Sequence, residues 1–355
     1  MQPPVLLPVT LLTGFLGSGK TTLLNQLIRH LPRTAVVMNE FGDVSLDHDL
    51  LEKMEGPMAV LSGGCVCCTV SGSLSPTLKN LFMARKRGDI PGFERVVIET
   101  TGIADPAPIL DTVLNDPWVR ARFRMDGVVT TVDALLGDVQ LDSYFEAVKQ
   151  AAVADRLILT KTDLAKPDTV AALRQRLGEL NPAAEQITAI RGEMDFGRIL
   201  DLGLFNTRDK TPDVQKWLNE QRYKPVGQTR LGQVKPQSGS HDSRIRSFSV
   251  IIDEPIPLTG LAGALEMLVG FRSGHLLRFK AIVNIAGTDK PTVLHGVQHV
   301  LYTEAELEKW PSDDHRSRFV FIVRDLEPEF VHRVLSDFTN TASGRPSPEI
   351  TQTAV

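Results

Sequence analysis

A glycine-rich loop near the amino terminus constrains the fold of this 355-residue chain more than any other feature. It has the spacing G-x-x-x-x-G-K-[ST] and lies between a short apolar run and a helical pattern. Its glycines permit positive φ angles, which bring backbone N–H groups against phosphate oxygens, and the helix start adds a partial positive charge. The pattern predicts a phosphate-binding loop formed by Gly14, Phe15, Leu16, Gly17, Ser18, Gly19, Lys20, Thr21 and Thr22.

Two side chains of this loop are expected to act on a nucleoside triphosphate. Lys20 is expected to neutralise the β- and γ-phosphates, and the Thr21 hydroxyl to be a ligand of Mg²⁺. The alternative is a glycine-rich turn that binds nothing. The order of strand, loop and helix favours the nucleotide site.

Short β-branched runs alternate with helical patterns through the first half of the chain. This alternation predicts an α/β fold of the P-loop NTPase type, with a mostly parallel sheet flanked by helices and ligands at the carboxyl ends of the strands. The predicted strands cover residues 8–13, 34–39, 58–61, 95–100, 127–132 and 156–160, and the predicted helices cover residues 20–31, 73–87, 106–114, 142–153 and 168–180.

The composition changes near residue 206, which predicts two domains joined by a linker. Residues 1–205 form the predicted P-loop domain, and residues 206–245, rich in Pro, Gly, Gln and Ser, form a flexible linker. Residues 246–340 are expected to form a small α+β domain, followed by a polar tail at 341–355. Its predicted strands cover residues 247–252, 276–286, 292–302 and 318–323, and its predicted helices cover residues 258–269 and 328–338.

The overall charge and cysteine usage exclude several classes of protein. A net charge of -4 gives no reason to expect nucleic acid as a partner. No apolar run approaches the roughly 20 residues that cross a bilayer, so no membrane span is expected. The chain has 3 cysteines, too few for a disulfide framework, and their clustering favours the reducing cytoplasm.

A carboxylate closes the predicted strand 95–100. Glu99 precedes Thr100-Thr101-Gly102, and a carboxylate at this position either holds the magnesium shell or orients the attacking water. Gly102 leaves room for a backbone N–H to meet the γ-phosphate. The alternative is a strand-end glutamate that faces solvent.

The tetrapeptide Thr160-Lys161-Thr162-Asp163 ends another predicted strand and is expected to select the base. An Asp163 carboxylate accepts hydrogen bonds from the N1–H and N2–H₂ groups of guanine, and adenine offers no such pair of donors. The stem of Lys161 is expected to lie along the base. These residues predict that the nucleotide is GTP.

All the cysteines lie in the motif Cys65-Val66-Cys67-Cys68. Thiolates favour Zn²⁺ or Cu(I) over hard cations, and three of them leave a tetrahedral site one ligand short. Because an extended chain points Cys67 and Cys68 apart, a turn toward the helix near residue 73 is needed if all three are to converge. Buried apolar cysteines or a redox pair are the alternatives.

An acidic segment at residues 39–49 connects the phosphate loop to the cysteines. It starts at a strand end, where it is placed to sense the γ-phosphate, and an order–disorder change on hydrolysis is expected. Glu40 is a candidate catalytic residue, and Glu40, Asp47 and His48 are candidates for the fourth metal ligand. A solvated acidic loop is the alternative.

Taken together, these motifs closely resemble the CobW family of metallochaperone GTPases, relatives of the HypB and UreG nickel-insertion GTPases. The resemblance implies GTP hydrolysis coupled to delivery of a metal, most often zinc, to a client metalloprotein. By position, it implies Cys65, Cys67 and Cys68 as zinc thiolates, Glu99 as the second acidic motif and Asp163 as the guanine reader. The matching segments are 14–25 (GFLGSGKTTLLN), 39–51 (NEFGDVSLDHDLL), 63–70 (GGCVCCTV), 99–106 (ETTGIADP), 294–302 (LHGVQHVLY) and 318–323.

The sequence departs from the family pattern in two places. Thr160 stands where Asn is common, and its shorter side chain is expected to brace the phosphate loop less well. The linker has only His241 where many relatives are rich in histidine, which leaves the cysteine motif as the main metal site. His295 and His299 are expected to share one face of a strand or helix, as a half-exposed pair or client contact more than as metal ligands.

Other functions remain open at the level of the sequence. The chain could be a metal-sensing or storage module in which GTP is a structural ligand. It could also be a GTPase that assists insertion of cobalt or iron into a corrinoid or a nitrile hydratase. A small-molecule P-loop kinase is least favoured, because the cysteine motif would then be idle. The client and any homo-oligomer are not specified.

Overall fold

A computed structural model of the chain divides into two compact units, Met1–Pro212 and Asp213–Val355. The residues that the structure describes are 6–39, 51–52, 58–61, 65–69, 73–200, 202, 218–226, 244–272, 274–302 and 305–340. No helix among them is long and apolar enough to cross a membrane.

The first unit alternates strands and helices, as the sequence predicted. Its strands are β1 (Leu7–Gly14), β2 (Thr34–Asn39), β3 (Leu51–Glu52), β4 (Met58–Leu61), β5 (Cys65–Thr69), β6 (Arg95–Thr100), β7 (Phe123–Asp133), β8 (Arg156–Thr160) and β9 (Glu185–Thr188). Its helices are α1 (Lys20–His30), α2 (Leu74–Arg87), α3 (Ala107–Asn115), α4 (Pro117–Arg120), α5 (Gly137–Ser143), α6 (Phe145–Ala152) and α7 (Pro167–Leu180), followed by a 3-10 turn at Phe196–Ile199.

The described strands of this unit form one sheet in the order β3-β4-β5-β2-β6-β1-β7-β8-β9. Every neighbouring pair from β5 to β9 is parallel, and the pairs β3–β4 and β4–β5 are antiparallel. The prediction of a mostly parallel sheet is therefore confirmed. Because β6, β1, β7 and β8 are neighbours, the segments that follow their carboxyl ends meet at one edge of the sheet.

Burial of apolar side chains explains why these segments form sheet and helix. β1 is almost wholly buried, as expected for a central strand covered on both faces. Helix α1 buries one face, formed by Leu23, Leu24, Leu27 and Ile28. These side chains belong to a core that also contains residues of four parallel strands, namely Leu12, Val36, Val97 and Val129.

The second unit has its own sheet. Its elements are a 3-10 turn (Glu220–Arg222), β10 (Lys224–Val226), β11 (Ile245–Ile252), α8 (Leu258–Arg272), β12 (Leu276–Val283), β13 (Thr292–Val297), β14 (Val300–Leu301), β15 (Ala305–Glu306), β16 (Ser317–Arg324) and α9 (Pro328–Asn340). Within the described residues the strand order is β10-β11-β16-β12-β13-β14, and β15 pairs with β13. One hydrophobic core joins α8 and α9 to the alternating buried residues of β11, β12 and β16, including Phe248, Phe279, Phe319 and Phe321. This is the predicted α+β arrangement.

The first unit contains elements that the sequence did not predict, namely β3, β5, β9 and α4, and one predicted helix is divided. The helix predicted at 142–153 is two helices, α5 and α6, because Tyr144 between them has an extended backbone (φ -131°, ψ 116°). In this conformation the Tyr144 ring stacks on Phe15 of the phosphate loop, with 4.6 Å between ring centroids.

The prediction that His295 and His299 share a face is wrong. The predicted strand 292–302 is a hairpin, and His299 lies in its turn, beside Gln298 with φ 51°. His299 is exposed, whereas His295 is buried in β13 and stacks on Tyr302 at 4.0 Å. The turn reverses the chain between the two histidines, so strand periodicity no longer applies.

The predicted linker also contains a structured part. Residues 224–226 form β10, which pairs in parallel with β11, so this part belongs to the second sheet. His241 and residues 227–243 lie outside the described residues, as does the tail from 341.

Candidate functional site

The predicted phosphate loop lies between β1 and α1 at the carboxyl edge of the first sheet. Gly14, Gly17 and Gly19 have φ angles of 143°, 72° and 90°, a region that side chains rarely adopt. At Gly14 a Cβ atom would also lie 2.2 Å from the Thr131 hydroxyl oxygen. Helix α1 begins directly after Gly19, so its first N–H groups and its partial positive charge are directed at the loop.

Lys20 lies folded against the backbone of this loop. Its Nζ donates hydrogen bonds to the carbonyl oxygens of Gly14 (3.0 Å) and Phe15 (3.3 Å), and the residue is buried. A lysine held in this way places its charge within the curve of the loop. Neutralising phosphate oxygens there is the role expected for it.

Thr21 and Glu99 meet at the start of α1 and the end of β6. The Thr21 hydroxyl donates to Glu99 Oε1 at 3.0 Å, and Glu99 is only 1% exposed. A hydroxyl and a carboxylate are the hard oxygen ligands that Mg²⁺ prefers. The buried, paired Glu99 excludes the alternative of a glutamate that faces solvent, and the two residues fit a magnesium ion held beside the phosphates.

Thr160, which stands where Asn is common, contacts the phosphate loop, and its weaker bracing of the loop stays a prediction. Thr160 is buried at the end of β8, and its hydroxyl donates to the Ser18 carbonyl at 2.8 Å. The hydroxyl also lies 3.3 Å from the Val132 carbonyl. The short side chain reaches the loop because the end of β8 lies beside it.

Lys161 connects the tetrapeptide Thr160-Lys161-Thr162-Asp163, called the base motif below, to the phosphate loop. Its Nζ donates to the Gly17 carbonyl at 2.8 Å and to Asp133 Oδ2 at 2.6 Å, while its backbone has φ 55°. Positive φ in a lysine is a strained conformation of the kind found at functional sites. Asp163, two residues later, is exposed at the same edge.

Asp133 is a site residue that the sequence analysis missed. It is fully buried at the end of β7, and its second carboxylate oxygen accepts from the backbone N–H of Leu135 (2.8 Å) and of Leu136 (3.3 Å). The sequence did contain a signal for this residue. Asp133 directly follows the predicted strand 127–132, at the edge of the sheet where ligands bind.

A network of buried hydroxyls, also missed, lies beneath the loop. Ser18 Oγ and Thr131 Oγ1 are 2.6 Å apart, and Thr131 Oγ1 lies 3.3 Å from the Thr13 carbonyl. Thr100 donates from its hydroxyl to that of Thr13 at 2.8 Å. Three strands, β1, β6 and β7, are thereby tied to the loop by polar contacts that no local sequence motif encodes.

Gly102 lies against the phosphate loop. A Cβ atom at this position would come within 2.7 Å of Leu16 Cα and 2.6 Å of Leu16 Cδ2. The absence of a side chain therefore permits the close approach of the β6–α3 loop to the loop that binds phosphate. The expected contact between a backbone N–H at this position and the γ-phosphate stays a prediction. Of the remaining predicted residues, Thr22 is exposed on α1.

The cysteine motif lies in the same sheet. Its backbone forms β5, in which Cys68 pairs with Val37 of β2, and Val37 pairs in turn with Ile98, the residue before Glu99. The structure describes only the backbone of Cys65, Cys67 and Cys68. The turn expected after them, at residues 70–72, lies outside the described residues, as do Glu40, Asp47 and His48.

The described residues contain no group of three or more His, Cys, Asp or Glu side chains placed to hold a metal ion. This finding does not extend to the cysteine side chains. The described residues place Lys20, Thr21 and Glu99 at the phosphate loop and Asp163 at the same edge of the sheet.

Comparison with known proteins supports this description. Residues 8–188 match the family described as CobW/HypB/UreG, nucleotide-binding domain, and residues 245–339 match the cobalamin synthesis protein cobW C-terminal domain. The zinc chaperone YjiA of Escherichia coli is 34% identical over 323 residues, which cover 90% of this chain and 95% of YjiA. The zinc-regulated GTPase metalloprotein activator 1 of Schizosaccharomyces pombe is 36% identical over 212 residues, which cover 57% of this chain and 50% of that protein.

A solved structure is also similar along nearly the whole chain. The crystal structure of Zn(II)-bound YjiA GTPase from E. coli has a TM-score of 0.71 and 31% sequence identity, and the match covers 94% of this chain and 99% of that one.

Proposed function

Because this chain belongs to the CobW/HypB/UreG family, we propose that it is a zinc metallochaperone that binds zinc at Cys65, Cys67 and Cys68 and transfers it to a client metalloprotein. The chain is a GTPase with a P-loop NTPase fold. We propose that GTP hydrolysis is coupled to the transfer of zinc. A client that takes up the metal, and a reducing cytoplasm that keeps the thiols free, are both part of this proposal.

The described residues supply binding and charge neutralisation for GTP hydrolysis. Lys20 and the N–H groups at the start of α1 stabilise the negative charge of the phosphates. Thr21 and Glu99 would hold Mg²⁺, which neutralises charge that develops on the phosphate oxygens. Asp163 would accept the guanine donors, while Lys161 and Thr160 connect its segment to the loop.

The position of β5 in the sheet carries the proposal of coupling between metal and nucleotide. The cysteine strand and the Glu99 strand are separated only by β2, and Cys68, Val37 and Ile98 lie in register across the three strands. Two strand spacings amount to about 10 Å. A conformational change at the end of β6 or β2 on GTP hydrolysis can therefore reach the cysteine motif through the backbone hydrogen bonds between neighbouring strands.

We infer a cycle in which GTP and Mg²⁺ favour the zinc-bound, client-binding state and hydrolysis releases zinc and client. Such coupling is a free energy shared by two sites, so it is reciprocal: if GTP changes zinc affinity, zinc changes GTP affinity by the same factor. A coupling of ordinary size changes the affinity at least about fivefold.

Zinc titration tests this directly. The full-length protein is titrated with Zn²⁺ against a chromophoric chelator, in the presence of GDP or of a non-hydrolysable GTP analogue. The expected result is a zinc affinity that differs at least about fivefold between the two nucleotides. Equal affinities would refute the coupled chaperone.

A cysteine variant identifies the metal site. Phosphate release from GTP is measured with zinc varied, for the natural protein and for a protein with Cys65→Ala, Cys67→Ala and Cys68→Ala. We expect zinc to change the rate for the natural protein only. If zinc binds the natural protein without any effect on phosphate release, the protein is a metal store or sensor. If Co²⁺ replaces Zn²⁺ as the more effective ion, cobalt insertion is the better assignment.

A further inference from the structure

Two neighbouring side chains of α6 hold the loop between β6 and α3. The Gln150 side chain donates from Nε2 to the carbonyl oxygens of Gly102 (3.2 Å) and Ala104 (3.1 Å). Lys149 donates from Nζ to Asp105 Oδ2 at 2.8 Å. The carbonyl oxygens of Gly102 and Ala104 and the carboxylate of Asp105 thus all accept hydrogen bonds from side chains in one turn of α6.

Apolar burial does little to fix this loop. Gly102 has no side chain, and the side chain of Ile103 is exposed. Polar contacts from α6 on one side and close contact with Leu16 of the phosphate loop on the other therefore define the backbone position of Gly102. The bonds from Gln150 are the ones that act on Gly102 itself.

Helix α6 is in turn fixed relative to the phosphate loop. The Thr130 hydroxyl of β7 donates to the Gln150 carbonyl at 2.8 Å. At the start of the helix, Tyr144 stacks on Phe15 at 4.6 Å. Gln150 and Phe15 also line the same small cavity behind the phosphate loop. One helix therefore contacts both the loop that binds phosphate and the loop that carries Gly102.

The hydrogen bonding of Gln150 indicates what its amide is for. The residue is 0% exposed, and its Oε1 has no hydrogen-bond partner among the residues that the structure describes. The carbonyl oxygens of Gly102 and Ala104 can only accept hydrogen bonds, so the Nε2 group of the amide must face them. This requirement fixes the orientation of the amide. A half-satisfied buried amide is unfavourable for stability compared with an apolar side chain of the same shape. The two bonds to the loop are therefore the reason for an amide at this position.

We propose that Gln150 is a positioning residue that presents the backbone N–H of Gly102 to the γ-phosphate of GTP. It acts by holding the carbonyl groups of Gly102 and Ala104 before nucleotide binds, so less conformational freedom is lost when the γ-phosphate arrives. Lys149, which is partly exposed, supports the far end of the same loop. The inference rests on the proposed GTPase site. It predicts discrimination between GTP and GDP, because only GTP has a γ-phosphate.

Binding of two nucleotides tests the proposal. Affinities for GDP and for a non-hydrolysable GTP analogue are measured for the full-length natural protein and for Gln150→Met and Gln150→Glu. Methionine keeps the length of the side chain without a donor, and a glutamate carboxylate cannot donate to carbonyl oxygens. We expect both variants to bind the GTP analogue about tenfold more weakly, with GDP affinity changed less than about twofold. Lys149→Met is expected to show a smaller change in the same direction.

Asn181→Leu is the matched control. Asn181 is also a buried amide, and its Nδ2 donates to the carbonyl oxygens of Ala151, Ala152 and Ala154 at the carboxyl end of α6, not to the loop that carries Gly102. Its loss is expected to lower thermal stability without altering the ratio of GTP-analogue to GDP affinity. An unchanged ratio in both Gln150 variants, or an equal change in the ratio for Asn181→Leu, overturns the positioning role. A natural protein that binds neither nucleotide overturns the GTPase assignment together with it.

Discussion

The Thr160 hydroxyl donates a 2.8 Å hydrogen bond to the backbone carbonyl of Ser18, so the last residue of β8 contacts the phosphate loop directly. Both groups are buried. A residue at the start of the base motif therefore helps to set the shape of the loop that binds the phosphates, whichever nucleotide is present.

Thr160→Val keeps the shape of the side chain and removes the donor. It is expected to weaken GTP and GDP binding alike, by about 5- to 10-fold, because the Ser18 carbonyl loses a buried partner. Titration with a fluorescent nucleotide measures the effect, and Thr160→Ser, which keeps the hydroxyl, is the control. Wild-type affinity in the valine variant would show that the bond is not needed.

Asp133 and Lys161 are expected to act as a unit. The Asp133 side chain is 1% exposed and Lys161 is 36% exposed, so their 2.6 Å contact is partly shielded from water. Asp133→Asn, Lys161→Met and the double variant form a cycle in which nucleotide affinity is measured. A coupling energy of about 1–2 kcal/mol is expected, because Asp133→Asn removes the charge that orients Lys161 toward Gly17 and Lys161→Met removes the donor itself. Strictly additive effects would contradict this.

Glu99→Gln is expected to lower the Mg²⁺ affinity of the nucleotide complex, or the rate of GTP hydrolysis, by about 10- to 100-fold. The reason is the loss of a buried carboxylate charge 3.0 Å from the Thr21 hydroxyl. Glu94→Gln is the control, since Glu94 precedes the same strand but is exposed and pairs with Arg33. Phosphate release at varied Mg²⁺ measures both variants, and equal behaviour would count against a magnesium role for Glu99.

Gly102→Ala is expected to displace the phosphate loop. The added Cβ would lie 2.7 Å from Leu16 Cα, a contact that backbone movement alone can relieve. We expect at least about fivefold weaker GTP binding, since overpacking of this kind commonly costs about 1–3 kcal/mol. Gly92→Ala, whose Cβ would meet nothing within 4 Å, should bind GTP normally. A Gly102→Ala protein with natural affinity would show that the loop tolerates the shift.

The second unit is expected to lose stability in acid through Asp314. Hydrogen bonds from the Arg316 guanidinium lower the pKa of Asp314 from 3.8 to about 2. A lowered pKa stabilises the folded state at pH values above the unfolded pKa, and this contribution is lost as the pH falls from about 4 to about 2.

Urea unfolding of the full-length protein and of Asp314→Asn measures this contribution. The variant is expected to be less stable by under about 1 kcal/mol at neutral pH, because the pair is partly exposed, and the difference should vanish near pH 2. A difference that persists unchanged at low pH would mean that the carboxylate charge is not its cause.

The elements that could be predicted from the sequence are those that depend on residues close together along the chain. The loop from Gly14 to Thr21 was predicted because glycine spacing, the preceding apolar strand and the following helix are all read from adjacent residues. Glu99 was predicted as a strand-end carboxylate, and the structure shows it buried against Thr21. The helix break at Tyr144 was missed, and the stack on Phe15 that accompanies it is a contact between segments far apart in the sequence.

The sequence identified Thr160 and the length of its side chain, but its bond to Ser18 depends on the separation of two backbones. The same holds for Asp133 and Gln150, whose partners lie 28 and 48 residues away. Strand-end position could have identified Asp133. No pattern near Gln150 could have identified its contact with Gly102.

The sequence by itself determined the chemistry and the order of the parts: a phosphate loop, a strand-end carboxylate, a base motif and a cysteine motif, each on or beside a strand. Local backbone preferences and hydrophobic periodicity are sufficient for this, because they act between residues close along the chain. Only the tertiary structure decided which parts touch. Sheet order placed β6, β1, β7 and β8 side by side and left only β2 between the cysteine strand and the Glu99 strand, because parallel pairing brings together segments that the sequence separates by tens of residues.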